Sequence, residues 1–511
     1  MFIRNFLLAA FALFTPFAAG AVTCDQVLQA FGTQLADATC FHKNDLTTNG
    51  DVTDVNPTTP PDNVWQPGLP LPLPPFAFTP RTDRAILINA VAVPPEDKTP
   101  ITVAVPGLQI NARIAADPTG QARFLLRLPD NWNGRLVVAG APSQRSEFTN
   151  DYGWSDYVVQ KGYAFASQNK GVLNFYVTTS ADPLGCRLNP ASTTYVHFYD
   201  NDPGKPFTQW AQYMIDAATL ARTGIKAAYH RGPPRYTYAV GTSNGGYQVR
   251  RAVELAPKLF DGGVDWEGTY VDEHAPNIMT DLPPAVLNLP DYLTSGNDPN
   301  STAAKNIRGA GYPPDLINPA LAAPLSSMWA RYYFSYWEAT MCQWQKRLDP
   351  MYNTYVSGLS TYNYVQRLSF SDVGDNLADF ATTGRIQRPL ITVAGTLDAL
   401  LPIDHHARAY ARAVEAGRED DGHRHGKDDR KQPAYRLYEV QNGNHIENYK
   451  TFYPQLEYIL PHAQHAFDLL VNSVEHGATL PPNQCIARGG AIAAAPTPTQ
   501  AGHCASLFVG P

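Results

Sequence analysis

The chain has 511 residues, of which 44% are hydrophobic and 17% are charged, and its formal net charge is −7. This length exceeds the roughly 250 to 300 residues that a single hydrophobic core accommodates, so we expect a core with a large inserted or second unit. The lysines and arginines are scattered along the chain, which argues against nucleic acid or an anionic membrane as a partner.

The first residues have the pattern of a secretory signal peptide. A positive charge at Arg4 precedes an apolar run over residues 6–19, and small residues follow at positions 19–21. No later segment approaches the roughly 18 apolar residues of a membrane helix. We therefore expect residues 1–21 to be a signal peptide and the mature protein to be secreted or periplasmic, without a membrane partner.

An even number of cysteines in an exported chain predicts up to three disulfides. The six cysteines are Cys24, Cys40, Cys186, Cys342, Cys485 and Cys504. We expect the pairs Cys24–Cys40 and Cys485–Cys504, because they close short loops, and the pair Cys186–Cys342. None of the cysteines has the CxxC spacing of a zinc or redox site, so we predict a structural role for them and no bound metal or cofactor.

In chain order, residues 22–75 are rich in Thr, Asn, Asp and Pro, which predicts a mostly irregular arm attached to the body. After Ala85, short apolar runs bounded by turn residues predict the leading antiparallel strands of a mixed sheet. These runs occupy residues 86–93, 101–115, 122–129 and 134–140.

Beyond residue 160, predicted strands alternate with predicted helices, and this alternation indicates an α/β protein with a mainly parallel sheet. The predicted strands, with the loops that follow them, lie at 163–171, 235–246, 262–268, 388–402 and 433–445. The predicted helices lie at 200–232, 247–260 and 404–417.

Two segments interrupt the alternation. Residues 271–384 contain no clear strand–helix unit and carry the aromatic run MWARYYFSYWEATMCQW, so we interpret them as a lid inserted into a core formed by residues 22–270 and 385–511. The tract from Glu415 to Pro433 is dense in charges and predicts a loop between a helix and the next strand.

A short motif carries the first sign of chemistry. The residues from Gly241 to Gly245 fit G-x-S-x-G, and they lie between an apolar predicted strand and a predicted helix. That context is the one required by the nucleophile elbow of the α/β-hydrolase fold. We therefore predict Ser243 as a nucleophile.

A serine nucleophile needs a base and a third group that orients the base. In the hydrolase order Ser, Asp, His, Asp398 follows a late β-branched strand as the expected acid, and His445 follows the last major strand as the expected base. Glu267, one strand earlier, is a reserve candidate for the acid, although we prefer to interpret it as a residue with polar contacts at a strand end. Asp404 is expected to cap the next helix.

The other candidate histidines are assigned to the surface, since two lie on a predicted helix and two lie in the charged tract; they are His405, His406, His423 and His425. An oxyanion hole requires two backbone donors. We predict the N–H of Asn244 as one donor and the N–H of Gly140 or Ala141 as the other.

The aromatic run in the predicted lid allows two interpretations. Trp329, Tyr333 and Trp337 either contact the substrate or pack inside the lid, and the spacing of these residues is more typical of packing.

The elbow serine, the large insertion between Ser243 and Asp398 and the several cysteines together resemble the tannase and feruloyl esterase family, from about residue 120 to residue 475. In that family a disulfide joins the residues beside the serine and the histidine, whereas Thr242 and Ile446 stand at these positions here. No dense Asp-rich loop for the lid calcium of that family occurs between 271 and 384. The Ser-Asn-Gly-Gly turn is also similar to bacterial 3-hydroxybutyrate oligomer hydrolases.

The sequence thus predicts a secreted serine carboxylic-ester hydrolase that acts through an acyl-enzyme on a small-molecule or oligomeric ester. The family resemblance implies aromatic or phenolic esters. The alternatives are hydrolysis of 3-hydroxybutyrate oligomers or other polyester fragments, a serine peptidase on the same fold, and a catalytically silent binding protein. The sequence makes no prediction about oligomeric state.

Overall fold

The computed structural model describes residues 23–53, 98–118, 120–142, 146–171, 176–177, 195–196, 207–352, 362–425 and 433–510. The predicted signal peptide, the predicted strand at 86–93 and Cys186 lie outside the described residues.

Ten of the described strands form one sheet in the order β1-β2-β3-β5-β4-β8-β9-β10-β11-β12. A separate pair is formed by β6 and β7. The strands are β1 Leu35–Lys43, β2 Gly107–Ile114, β3 Arg123–Pro129, β4 Arg135–Gly140, β5 Ala164–Gln168, β6 Tyr176–Val177, β7 Tyr195–Val196, β8 Tyr236–Thr242, β9 Gly262–Trp266, β10 Leu390–Gly395, β11 Tyr435–Val440 and β12 Gln484–Ile486.

The direction of the strands divides the sheet into two parts. Strands β1, β2, β3 and β5 pair antiparallel with one another, whereas β5, β4 and all strands from β8 to β12 run parallel. The exchange of β4 and β5 ahead of a run of parallel strands is the sheet of the α/β-hydrolase fold. The predicted fold class is therefore confirmed.

Helices cover both faces of the sheet. They are α1 Cys24–Phe31, α2 Thr48–Thr53, α3 Asp156–Val159, α4 Gln209–Tyr229, α5 Asn244–Leu255, α6 Ile278–Thr294, α7 Thr302–Gly309, α8 Met328–Tyr332, α9 Glu338–Leu348, α10 Tyr364–Arg367, α11 Val373–Ala378, α12 Ala407–His425 and α13 Leu460–His476. Two π-helices, Asp151–Ser155 and Tyr333–Trp337, precede α3 and α9, and a 3-10 helix covers Glu447–Thr451.

The core lies in two layers on either side of the sheet. In β4, Leu136 and Val138 join the apolar cluster that contains α4 and α5, while Val137 and Ala139 join the cluster that contains α13. All four side chains are fully buried. A strand with both faces covered is apolar at consecutive positions, which explains why the run LVVA carries no polar alternation.

The N-terminal arm is more regular than predicted. Residues 24–53 contain α1, β1 and α2, and β1 pairs with β2 at the edge of the main sheet. Helix α1 begins with a capping box between Thr23 and Gln26, and the disulfide Cys24–Cys40 joins α1 to β1. The backbone pairing with β2 therefore orders a segment whose composition alone suggested a loop.

Two other boundaries differ from the predictions. The predicted strand at 101–115 begins only at Gly107, directly after Pro106, which has no N–H for a sheet ladder. Helix α12 continues to His425, so the first part of the charged tract is helical rather than a loop.

The disulfides Cys24–Cys40 and Cys485–Cys504 are confirmed. The third expected pair includes Cys186, which is not among the described residues. No helix in the described ranges has the length and apolar character needed to cross a membrane.

The segment predicted as a lid forms a helical insertion, 271–384, between β9 and β10. Its described residues contain the helices α6 to α11. The two ends of the insertion are joined, because the N–H of Thr382 donates to the carbonyl oxygen of Val271 at 2.9 Å and the hydroxyl of Thr382 contacts the same residue. This pair forms the neck of the insertion.

A buried ion pair connects the elbow helix to the sheet. Arg250 Nε of α5 donates to Asp265 Oδ2 of β9 at 2.6 Å, and both side chains are fully buried. The same carboxylate accepts hydrogen bonds from Thr392 Oγ1 of β10 and from the N–H of Gly268. Three segments around the elbow therefore share one carboxylate.

We expect Asp265→Asn to lower the free energy of unfolding by about 3 to 5 kcal/mol, because it leaves the charge of Arg250 buried without a counter-ion. Denaturant unfolding followed by tryptophan fluorescence measures the change. The control is Asp37→Asn, which removes the carboxylate of the exposed pair with Arg113 and should cost less than about 1 kcal/mol. Equal unfolding midpoints for the two variants would contradict the expectation.

Candidate active site

The predicted nucleophile lies at a strained turn between β8 and α5. Ser243 has φ 58° and ψ −123°, a conformation that costs a non-glycine residue on the order of 1 to 3 kcal/mol. Its N–H donates to the carbonyl oxygen of Trp266 at 2.9 Å, and its own carbonyl oxygen accepts from the N–H of Tyr247 in α5. Backbone hydrogen bonds from two elements thus hold the turn.

Glycines allow the backbones around this turn to approach each other. A Cβ atom on Gly241 or on Gly140 would lie 2.4 Å from the carbonyl oxygen of Gly245, and a Cβ on Gly245 would lie 2.3 Å from that of Gly140. A Cβ on Gly246 would lie 2.3 Å from Asp265 Oδ1. Side chains at these positions would force the elbow away from β4 and β9, which explains the glycines of the motif.

The loop after β11 places His445 next to the serine. His445 Nε2 lies 2.9 Å from Ser243 Oγ, and His445 Nδ1 lies 2.8 Å from Asp398 Oδ2. Burial lowers the pKa of His445, but the charge and the hydrogen bond of Asp398 raise it by more, so the net shift is upward. The three residues that the sequence singled out are therefore in contact as a chain of hydrogen bonds.

The loop after β10 holds Asp398 by backbone donors. Asp398 Oδ1 accepts from the N–H of Leu400 at 2.8 Å and from the N–H of Leu401 at 2.7 Å. These two hydrogen bonds fix the orientation of the carboxylate, whose Oδ2 faces His445. Asp404, the expected cap of the next helix, lies three residues before α12 begins at Ala407. Its carboxylate forms an ion pair with Arg408 at 3.0 Å.

The backbone donors expected for an oxyanion are only partly available. Asn244 is the first residue of α5, and the N–H groups of a first helical turn have no partner within the helix. The N–H of Ala141 instead donates to Gln248 Oε1 at 2.9 Å, so its assignment as an oxyanion donor is corrected. Gly140 ends β4 and pairs with β8, and the next residue after Ala141 is Pro142, which has no N–H.

A second carboxyl group lies beside the histidine. Glu267 follows β9, is 2% exposed, and has its Oε2 3.8 Å from His445 Nδ1. Burial raises the pKa of Glu267 to about 8, with the charge of Asp398 as the next cause. The interpretation of Glu267 as a residue with ordinary polar contacts at a strand end therefore misses its position in the site.

His405 and His406 are not solvated surface residues, contrary to the prediction. His406 is 2% exposed, and its Nδ1 accepts the N–H of Tyr270 at 3.1 Å. His405 Nδ1 lies 2.9 Å from Asp281 Oδ1 of α6. Both histidines contact this aspartate, so they connect the insertion to the core. The side chains of His423 and His425 lie outside the described residues.

The aromatic residues proposed for substrate contact lie in the interior of the insertion. Trp329, Tyr333 and Trp337 are at most 2% exposed. The indole N–H of Trp329 donates to the carbonyl oxygen of Pro313, and that of Trp337 donates to the carbonyl oxygen of Ala399. The structure supports the packing interpretation of this run.

A tyrosine of the same run, which no sequence motif singles out, contacts the histidine loop. The hydroxyl of Tyr332 donates to Asn444 Oδ1 at 2.9 Å and accepts the N–H of Ile446 at 3.2 Å. These contacts lie on both sides of His445. Because Tyr332 is fully buried, its hydroxyl ties the loop that carries His445 to the helical insertion.

One further cluster of metal-ligand residue types occurs in the described part of the chain, at Asp272, Glu273 and His274. His274 is largely exposed, and its hydrogen bond to Asp272 raises its pKa. Exposed acidic groups are often grouped in this way without a bound ion, so the cluster alone does not indicate a metal site.

Comparison with known proteins gives a partial family match. The model of the family described as 3HB-oligomer hydrolase matches residues 362–507, a range that includes Asp398 and His445 but not Ser243. D-(-)-3-hydroxybutyrate oligomer hydrolase of Burkholderia thailandensis is 31% identical over 134 residues, which are 24% of this chain and 17% of that protein. The enzyme of the same name from Burkholderia mallei is 30% identical over 134 residues, which are again 24% of this chain and 17% of that protein. The matched part of the chain thus spans about a sixth of the length of these relatives.

Among solved structures, the chain is similar to feruloyl esterase B from Aspergillus oryzae, at 14% identity and a TM-score of 0.47, with 88% of each chain covered. Tannin acyl hydrolase from Aspergillus niger matches at 13% identity and a TM-score of 0.41, covering 74% of this chain and 80% of that one.

We expect Tyr332→Phe to lower the free energy of unfolding by about 1 to 3 kcal/mol, because it leaves the buried N–H of Ile446 and the amide of Asn444 without their partner. Hydrogen exchange of the peptide that contains Ile446 should become faster. The control is Tyr236→Phe on β8, a half-buried tyrosine whose ring stacks on Tyr238. Unchanged exchange in Tyr332→Phe would show that the hydroxyl does not hold the loop.

Proposed function

We propose that this protein is a serine carboxylic-ester hydrolase in which Ser243 is the nucleophile, His445 the general base and Asp398 the acid. The observation that carries the proposal is the chain of contacts from Ser243 Oγ to His445 Nε2 at 2.9 Å and from His445 Nδ1 to Asp398 Oδ2 at 2.8 Å. An oriented base within hydrogen-bond reach is what a serine hydroxyl needs in order to attack a carbonyl. The family match over the second half of the site supports the same chemistry.

The reaction follows from these positions. His445 Nε2 takes the proton of Ser243 as Oγ bonds to the ester carbonyl carbon, and the N–H of Asn244 stabilises the resulting oxyanion. The imidazolium then gives its proton to the departing alcohol, and the acyl group remains on Oγ. A water molecule, deprotonated by His445, attacks the acyl-enzyme and releases the carboxylic acid. Asp398 stabilises the imidazolium in both steps.

For the substrate class, we propose oligomers of short hydroxyalkanoic acids such as 3-hydroxybutyrate. The support is the match to a family whose members are described as 3-hydroxybutyrate oligomer hydrolases. Each cleavage of such an oligomer gives one new carboxylic acid and one new alcohol, which is the chemistry of the proposed site. The burial of Trp329, Tyr333 and Trp337 removes the main argument for a pocket lined by these rings.

Aromatic or phenolic esters are the second candidate. Tyr336 is half-buried, and its ring centroid lies 6.1 Å from that of Tyr332, the residue that holds the histidine loop. A partly exposed ring next to that loop favours an aromatic acyl or alcohol group. We also propose that the protein acts outside the cytoplasm, because disulfides persist in oxidising compartments.

We expect Ser243→Ala to lower kcat/KM for p-nitrophenyl acetate by about 10⁴-fold or more, because the acyl-enzyme can no longer form. Labelling by a fluorophosphonate probe should also disappear. The control is Ser369→Ala, which changes an exposed serine of the insertion and should leave both readouts unchanged. Retained turnover in a correctly folded Ser243→Ala protein would exclude the proposed nucleophile, and absence of labelling in the wild type would favour a silent binding protein.

We expect a hydroxyalkanoate preference in a substrate panel measured side by side. The panel contains a 3-hydroxybutyrate trimer, methyl ferulate, methyl gallate, a terephthalate monoester and a short aliphatic ester. A preference above about tenfold in kcat/KM corresponds to roughly 1.4 kcal/mol of differential transition-state binding. Higher kcat/KM for ferulate or gallate than for the trimer would favour the aromatic class, and the hydrolase chemistry itself would stand in either case.

A further inference from the structure

Two carboxyl groups face the same imidazole nitrogen, and the proposed reaction uses only one of them. His445 Nδ1 lies 2.8 Å from Asp398 Oδ2 and 3.8 Å from Glu267 Oε2. The facing atoms of the three groups all lie within 4.8 Å of one another, and all three residues are buried. Two buried negative charges at this distance repel each other strongly, so only one of the two carboxyl groups is expected to be ionised at a time.

Hydrogen bonds decide which of the two acids is ionised. Asp398 has donors on both oxygens, from two backbone N–H groups and from the imidazole. Glu267 accepts from the N–H of Gly395 through Oε1, and its buried Oε2 has no hydrogen-bond partner in the described part of the chain. A buried carboxylate needs donors, so the negative charge belongs on Asp398 and the proton on Glu267.

The other groups around Glu267 are consistent with a negative charge on Asp398 and a proton on Glu267. Asp265 lies on the same strand and is neutralised by Arg250. Tyr332 faces the site from the helical insertion, and burial raises its pKa well above the ordinary value, so it carries no charge. Burial is the main cause that raises the pKa of Glu267, followed by the charge of Asp398, while the partial charge of His445 and hydrogen bonds with the Gly395 N–H and the Trp266 side chain lower it.

We infer that Glu267 is a positioning residue for His445, a reserve acid that accepts the imidazole N–H when the Asp398 carboxylate is removed by substitution. This inference rests on the proposed function. Without the negative charge of Asp398, one of the causes that keep the proton on Glu267 is removed. Its Oε2 then needs to approach Nδ1 by about 1 Å to reach the 2.7 to 3.2 Å of a hydrogen bond. The approach also supplies Oε2 with the donor that it lacks.

The test compares Glu267→Gln, Asp398→Asn and the double variant by kcat/KM for p-nitrophenyl acetate between about pH 6 and pH 9.5. Asp398→Asn should retain at least tenfold more activity than the double variant at the alkaline end, because Glu267 is then ionised. The two should converge at the acidic end, where Glu267 is protonated. A purely structural role of Glu267 would give a ratio that does not vary with pH.

A second pair of variants controls for added substitutions. Asp398→Asn combined with Asp404→Asn removes a half-exposed carboxylate six positions away and should behave like Asp398→Asn alone. The inference is overturned if Asp398→Asn and its combination with Glu267→Gln differ by less than about twofold at every pH. That result leaves the proposed nucleophile intact, whereas turnover by Ser243→Ala would overturn the proposed function itself.

The stability of Glu267→Gln gives a readout that needs no substrate. The pKa of Glu267 is higher in the folded chain than its ordinary value of 4.5, so its contribution to stability is present below that value and is lost as the pH rises through the folded pKa. The free energy of unfolding of the wild type, relative to Glu267→Gln, should therefore fall between about pH 5 and pH 9. A constant difference over this range would show that Glu267 is not protonated in the folded protein and would overturn the inference.

Discussion

The left-handed backbone at Ser243 is the constraint on which the rest of the site depends. It exists because Gly140, Gly241 and Gly245 let three backbone segments meet at distances that no Cβ atom would allow. The strain at the serine is sustained by the buried sheet on one side and by α5 on the other. Since parallel strands end at the same edge of the sheet, the loops after β9, β10 and β11 then bring their polar side chains to this one turn.

The loops after β9 and β10 place two similar carboxyl groups, Glu267 and Asp398, in environments that favour different protonation states. The side chains of Asp398 and Glu267 differ by one methylene. Two backbone N–H groups donate to Asp398, whereas one donates to Glu267. Fewer donors favour the protonated form of Glu267. In the proposed reaction, the buried site thus holds one negative charge opposite the positive charge that His445 acquires. A second ionised carboxylate would hold the imidazole in its charged form and make it a poorer base.

The sequence predicted the parts of the fold that local pattern determines. The strand and helix around Ser243 follow from an apolar run, glycines and a helical period, and the chain order located Asp398 and His445. It did not predict contacts between distant segments: the pairing of β1 with β2, the hydrogen bond from Ala141 to Gln248, and the burial of His406 under the insertion. In each case the deciding partner is far away in sequence, so composition near the residue indicated the wrong environment.

The neck formed by Val271 and Thr382 separates the length of the insertion from the stability of the core. Because Val271 and Thr382 are already hydrogen-bonded to each other, the chain leaves the sheet and returns to it at nearly one point. The entropy of closing a loop grows only slowly with its length, so segments of very different size fit on this neck at a similar cost to the core. An insertion of another size can thus replace this one, provided that it supplies a group that does for the histidine loop what the hydroxyl of Tyr332 does here.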